Sequence, residues 1–125
     1  MRKIALVEDN PDNRLLVEVM LQDAFEVVSF ETGMAALSGI PVEKPDAVLL
    51  DISLPEMDGT EVLRRLRADA ATAKLPVIAL TAHAMAGDRE KYLSMGFDEY
   101  VSKPIVDEAA LLQSIEDALK GVSGS

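Results

Sequence analysis

Three runs of four consecutive apolar residues constrain this chain most: Ile4-Ala5-Leu6-Val7, Ala47-Val48-Leu49-Leu50 and Val77-Ile78-Ala79-Leu80. Each is too short for a helix and is bounded by polar or turn residues. Continuous short runs of this kind fit strands covered on both faces, as in a parallel sheet. Two weaker candidates, Glu26-Val27-Val28-Ser29-Phe30 and Glu99-Tyr100-Val101-Ser102, bring the set to five.

Amphipathic segments fall between the runs. Asn10 followed by Pro11 reads as an N-cap with proline at the first helical position, after which Leu15, Leu16, Val19 and Met20 recur at helical spacing as the apolar stripe. A short helix is expected over 32–38, with Gly39, Pro41 and Pro45 marking the turn back to the sheet. Asp58-Gly59-Thr60-Glu61 has the spacing of a capping box ahead of Val62, Leu63 and Leu66, and Gly96 closes a segment running from about Ala84. Leu111, Leu112, Ile115 and Leu119 mark a final helix. Strands alternating with helices five times predict a doubly wound α/β domain, because parallel neighbours need right-handed crossovers that place helices on both faces. One domain over 1–120 is expected, with Gly121-Val122-Ser123-Gly124-Ser125 as a flexible tail.

A chain of 125 residues can bury about two-thirds of its unfolded surface, so a core needs no covalent staples. There is no cysteine, which excludes disulfides and cysteine-ligated zinc or iron and suits a reducing cytoplasm. The apolar start is interrupted by Glu8-Asp9 far short of the length of a signal peptide or membrane span, so a soluble protein without membrane association is expected. Twenty-two acidic residues against twelve Lys and Arg give a net charge of −10, which opposes approach to a phosphate backbone; direct nucleic-acid binding is not expected.

In an open parallel sheet, ligands bind beyond the carboxyl ends of the strands. The residues at those ends are Glu8 and Asp9, Asp51, Thr81 and Lys103. Taken singly, Asp9 could serve as a helix cap, Asp51 as a loop residue, Thr81 as a cap and Lys103 as an exposed cation. Taken together they place three carboxylates, a hydroxyl and an ammonium on one rim, and carboxylates so gathered repel unless a cation offsets them. A hard divalent ion such as Mg²⁺, which takes oxygen ligands, suits Asp9, Asp51 and Glu8.

The residues Val7-Glu8-Asp9-Asn10, Leu50-Asp51, Leu54-Pro55-Glu56-Met57-Asp58-Gly59, Leu80-Thr81-Ala82 and Lys103-Pro104 together resemble the response-regulator receivers of two-component signalling, over essentially the whole chain. The resemblance implies a five-stranded, flavodoxin-like (βα)₅ fold with strand order 2-1-3-4-5. It implies that Asp51 is the phosphoryl acceptor and that Glu8, Asp9, Asp51 and the backbone carbonyl of Ser53 hold Mg²⁺. Thr81 would hydrogen-bond the phosphoryl group and Lys103 would pair with it. Thr81 and Tyr100 would form the switch that reshapes the face of helix four, strand five and helix five. Ser53, Ala82 and His83 would tune the lifetime of the phosphate, and Pro104 would follow a cis peptide that aims the lysine. The donor would be a histidine kinase or a histidine phosphotransfer protein, and the reader a downstream protein target; a monomer or a phosphorylation-dependent dimer fits equally. Such a domain is a signalling module that assists its own phosphorylation and dephosphorylation.

Other readings compete. A receiver that is not phosphorylated and acts as an interaction module would fold alike. An aspartate-dependent Mg²⁺ phosphatase would carry a second Asp two residues after the first, where this chain has Ser53. A flavin-binding domain of the same topology would not place Glu8-Asp9 where the flavin phosphate must sit. Starting at Met1 favours a stand-alone regulator, whereas the Ser-Gly-Ser end suits an excised receiver.

Overall fold

The three apolar runs form the middle of a five-stranded parallel sheet in the computed structural model, which describes residues 2–82, 87–103 and 107–124. In chain order the elements are β1 (Lys3–Val7), α1 (Pro11–Leu21), β2 (Glu26–Phe30), α2 (Gly33–Glu43), β3 (Ala47–Asp51), α3 (Gly59–Ala68), β4 (Val77–Thr81), α4 (Asp88–Met95), β5 (Glu99–Ser102) and α5 (Glu108–Gly124). The strand order is β2-β1-β3-β4-β5, the doubly wound arrangement that the alternating pattern predicts. The helix α5 includes residues 121–124, which the sequence reading assigns to a tail.

Alternation along each central strand divides the core in two. Ala5, Val7, Val48, Leu50, Val77 and Ala79 face one layer with Ala36 and Ile40 of α2, Val62, Leu63 and Leu66 of α3 and Tyr92 of α4. Ile4, Leu6, Ala47, Leu49, Ile78 and Leu80 face the other with Val17 and Leu21 of α1 and Leu111, Ile115 and Ala118 of α5. Both faces are therefore dry, and the central strands β3 and β4 carry no polar residue until Asp51 and Thr81 at their carboxyl ends.

Two helices depart from the sequence pattern. In α1 the inward residues are Val17 and Leu21, while Leu15 is 60%, Leu16 41% and Val19 52% exposed, and only Met20 of the expected stripe packs on the core. Several faces of this helix have apolar residues at helical spacing, and the anchoring of its first turn selects among them. Asn10 caps it by accepting from the N–H groups of Asp12 and Asn13. The helix α2 extends past Ser38 to Glu43, through Gly39 and Pro41. Gly39 faces the Phe30 ring so closely that a Cβ would lie 2.2 Å from it. Pro41 falls in the final turns, and Lys44 ends the helix in the left-handed region (φ 52°), its N–H donating to the Ile40 carbonyl at 2.9 Å.

The start of α3 clamps the segment that follows Asp51. Asp58 accepts from the Thr60 hydroxyl, Glu61 N–H and Thr60 N–H; the hydroxyl bond above all, with the backbone bonds, holds its carboxyl below the usual carboxylate range. Glu61 does not complete a reciprocal capping box; it pairs with Arg64 and Arg65, and these bonds hold its carboxyl at about 2. Gly59 N–H donates to the Ile52 carbonyl at 2.9 Å, and a Cβ at Gly59 would lie 2.5 Å from the Asp51 carbonyl oxygen and 2.8 Å from Ile52 Cα. Both obstacles are backbone, so they cannot rotate away. Alanine normally stabilises a helix relative to glycine. Gly59→Ala should instead destabilise the protein, by about 2 kcal/mol from overpacking, read as a lowered urea midpoint. A raised midpoint would show that the segment after Asp51 is free to shift.

Candidate functional site

Each expected rim residue within the described segments stands at a strand's carboxyl end. Glu8 follows β1, Asp51 ends β3, Thr81 ends β4 and Lys103 follows β5. Parallel pairing sets their level: Asp51 lies opposite Leu80, and Thr81 opposite Ser102. Crossing bonds extend the sheet at this edge, with Ile52 N–H on the Leu80 carbonyl at 2.9 Å and Lys103 N–H on the Thr81 carbonyl at 2.7 Å.

Side chains converge from three of these ends. Lys103 Nζ donates to Glu8 Oε1 at 2.7 Å and to Asp51 Oδ2 at 2.8 Å. Ser53 N–H donates to Asp51 Oδ1 at 2.9 Å. Glu8, Asp9 and Asp51 each present a carboxylate oxygen within 4.8 Å of the others. Glu8 is 1% and Asp51 2% exposed, while Asp9 is open to solvent, so two of the carboxylates are fixed in the wall and one stands at the mouth. Three hard oxygen donors at this spacing suit a small divalent cation that keeps part of its water. Lys103 already spans two of them as a cation would.

Burial dominates the electrostatics. It raises the Glu8 carboxyl to about 7; the hydrogen bond with Asp51 adds to the rise and Lys103 opposes it. For Asp51, burial pushes upward, but the bonds from Glu8, Lys103 and Ser53 N–H outweigh it and leave the group below its ordinary value. For Lys103, burial pushes downward, and the bonds to Asp51 and Glu8 reverse that. The neighbouring carboxyls divide their titration as two acids sharing a proton do, with Glu8 its holder. Between pH 4.5 and about 7 the folded protein thus retains a proton on Glu8 that the unfolded chain has released, and the Glu8 contribution to stability falls as pH rises through that window.

The remaining expected residues are more scattered. Thr81 is fully buried, and Ser53 and Ala82 are exposed beside the rim. Tyr100 lies in β5 opposite Ala79, half-buried, with its ring stacked on Tyr92 at 5.9 Å between centroids. Burial raises its phenol, with Asp88 and Tyr92 contributing. His83 and Pro104, with the expected cis peptide, lie outside the described residues, as do Ala84 and the start expected for the fourth helix.

One neighbour of the site escaped the sequence pattern. Arg14 of α1 donates from Nη1 to the Glu8 carbonyl at 3.1 Å. The available signal was weak: a cation near the positive end of a helix runs against the helix dipole and needs a reason to be there.

Comparison with known proteins places this geometry in context. The response regulator receiver domain family model matches residues 4–116. The sensor protein GacS of Pseudomonas syringae pv. syringae is 44% identical over 107 residues, covering 82% of this chain but only 12% of GacS. The polar-differentiation response regulator DivK of Brucella anthropi is 38% identical over 105 residues, covering 83% of this chain and 85% of DivK. Among solved structures, the receiver domain of a sensor histidine kinase from Pseudomonas aeruginosa PAO1, described with a magnesium ion coordinated in its active site cleft, superposes with a TM-score of 0.85 at 36% identity. That match covers 95% of this chain and 98% of the other. Chemotaxis protein CheY4 of Vibrio cholerae, at 24% identity and a TM-score of 0.86 over 94% of this chain and 98% of its own, shares the fold. No helix among the described residues is long and apolar enough to cross a membrane. With its five parallel strands in 2-1-3-4-5 order and the acidic cluster at their carboxyl edge, the chain belongs to the response regulator receiver domain family of two-component signalling.

Proposed function

We propose that this receiver accepts a phosphoryl group on Asp51 from a histidine kinase or a histidine phosphotransfer protein, with Mg²⁺ bound, and passes the signal to a downstream protein. The observation that carries the reading is the placement of Asp51: buried, its carboxyl held below its ordinary value, hydrogen-bonded by Lys103 and Ser53 N–H, and flanked by two further carboxylates. Glu8, Asp9, Asp51 and the Ser53 carbonyl would hold the ion, which when bound neutralises charge on the phosphoryl oxygens.

The chain's own residues then have separable tasks. An Asp51 oxygen attacks phosphorus in line, the bond from phosphorus to the donor's imidazole nitrogen breaks, and the ring takes that electron pair and leaves as neutral imidazole, keeping the proton its other nitrogen already carried. Ser53 N–H holds Oδ1 of the acceptor in a fixed orientation. Lys103, released from part of its bonding to the two carboxylates, moves its charge onto the phosphoryl group. Thr81, one residue beyond the level of Asp51, turns its hydroxyl to the phosphate, and Tyr100 follows into the space so opened. The exposed Ser53 and Ala82, with His83, would set how readily water reaches the product. The kinase-fused context of GacS and the stand-alone size match to DivK are both compatible with this chemistry.

Intact mass after incubation with acetyl phosphate should show one added phosphate with Mg²⁺ and none with EDTA, and Asp51→Asn should show none under either condition. An unchanged adduct on Asp51→Asn would overturn the acceptor assignment, and failure of the wild type to take even beryllofluoride would favour the interaction-module reading. Metal competes with the proton on Glu8, so Mg²⁺ affinity should rise about tenfold between pH 6 and pH 8, following from a carboxyl at about 7; calorimetric titration at the two pH values reads this directly. Lys103→Ala leaves two buried carboxylates without their ammonium and should lower metal-free stability at pH 8 by about 3 kcal/mol, measured in urea, while Mg²⁺ still binds.

A further inference from the structure

The acidic pair sits on a turn, and a turn needs something to fix it. Glu8 lies just past the end of β1, where regular strand pairing stops. Its backbone N–H is held by the Phe30 carbonyl of β2 at 3.0 Å. Its carbonyl is held by Arg14 Nη1 at 3.1 Å. On the far side of the turn, Asn10 N–H reaches back to Glu8 Oε2 at 3.4 Å, and the Asn10 carbonyl accepts Arg14 N–H at 2.9 Å. Arg14 is thus anchored one helical turn beyond the cap and returns to the residue that precedes Asp9.

The Arg14 side chain as a whole is largely withdrawn from water, at 19% exposed. Its second arm points to Glu31 Oε1 at 3.4 Å, but Glu31 is 74% exposed, so this pair is long and solvent-screened. The bond to the Glu8 carbonyl is the better formed of the two. Arginine suits this task because its planar fork can address two acceptors at a fixed angle and its charge is permanent.

We infer that Arg14 is a positioning residue for the acidic pair, holding the Glu8 backbone so that the Glu8 and Asp9 carboxylates stay in register with Asp51 for Mg²⁺. This rests on the metal-binding reading proposed above. Groups that orient ligands from behind commonly matter to metal affinity nearly as much as the ligands do. The sign of the effect separates positioning from simple charge. A positive charge beside a cation site repels the incoming cation, so a purely electrostatic role makes removal of Arg14 tighten Mg²⁺ binding. Positioning makes removal weaken it.

The test is calorimetric titration of Mg²⁺ into the wild type, Arg14→Ala and Glu31→Gln, each first shown by urea denaturation to fold. Arg14→Ala should weaken Mg²⁺ binding about tenfold, while Glu31→Gln, which keeps the bond to the Glu8 carbonyl, should stay within about twofold of the wild type. In phosphorylation by acetyl phosphate, the Mg²⁺ concentration for half-maximal rate should rise by the same factor for Arg14→Ala with the saturated rate unchanged. Wild-type affinity in Arg14→Ala, or tighter binding, overturns the inference while leaving the metal site standing. A wild type that does not bind Mg²⁺ overturns both. Loss of saturated rate without loss of affinity would place Arg14 in some other role and also overturn it.

Discussion

Two carboxylates buried side by side repel, and the carboxyl edge of this sheet is arranged around that fact. Glu8 and Asp51 are almost wholly enclosed, yet both meet the Lys103 ammonium at hydrogen-bonding distance. Without a cation the pair would be expensive to bury; with it, one carboxyl remains charged and the other keeps a proton close to neutral pH. A lysine in this position offsets the charge of the buried carboxylates, and under the proposed function a divalent ion or a phosphoryl group would change which partners the ammonium serves.

The fold exists to deliver those groups. Strands dry on both faces cannot carry charges along their length, so the charged residues collect where the strands end. Parallel pairing brings the ends of β1, β3, β4 and β5 to one edge, and the bonds from Ile52 N–H to Leu80 and from Lys103 N–H to Thr81 carry the register beyond the sheet. On the other side of Asp51, close approach of Gly59 fixes the backbone from α3. Among non-glycine residues, Lys44 and Glu56 alone of the described residues have positive φ, and Glu56 lies in the same segment between Asp51 and α3. Asp51 is therefore held from both directions by backbone, while its side chain is left to bond with Lys103 and Ser53 N–H.

Much of this is legible in the residues. The five strands, the cap at Asn10, the start of α3 at Asp58 and the closing glycine at Gly96, whose φ is 116°, stand where local pattern puts them. Local pattern failed where several local solutions compete. Leu15, Leu16 and Val19 have helical spacing, but so do Val17 and Leu21, and the second set faces the core. Gly39 and Pro41 look like a helix stop, yet the glycine is required by the Phe30 ring and the helix runs on through the proline to Glu43, with Lys44 N–H still bonded to the Ile40 carbonyl. Glu61 has the spacing to return to its cap and instead meets two arginines one turn on.

The sequence by itself determined the class of fold and the chemical identity of the rim, because burial on both faces demands unbroken apolar runs and leaves polar residues only at their ends. Which rim groups touch was decided by tertiary structure alone. Lys103 reaches Asp51 across 52 residues of chain and Glu8 across 95, and Arg14 grips the Glu8 carbonyl from a helix face that periodicity did not single out. Charge sharing at this edge depends on distances of about 3 Å, set by the pairing of strands far apart in sequence, and no local pattern encodes such distances.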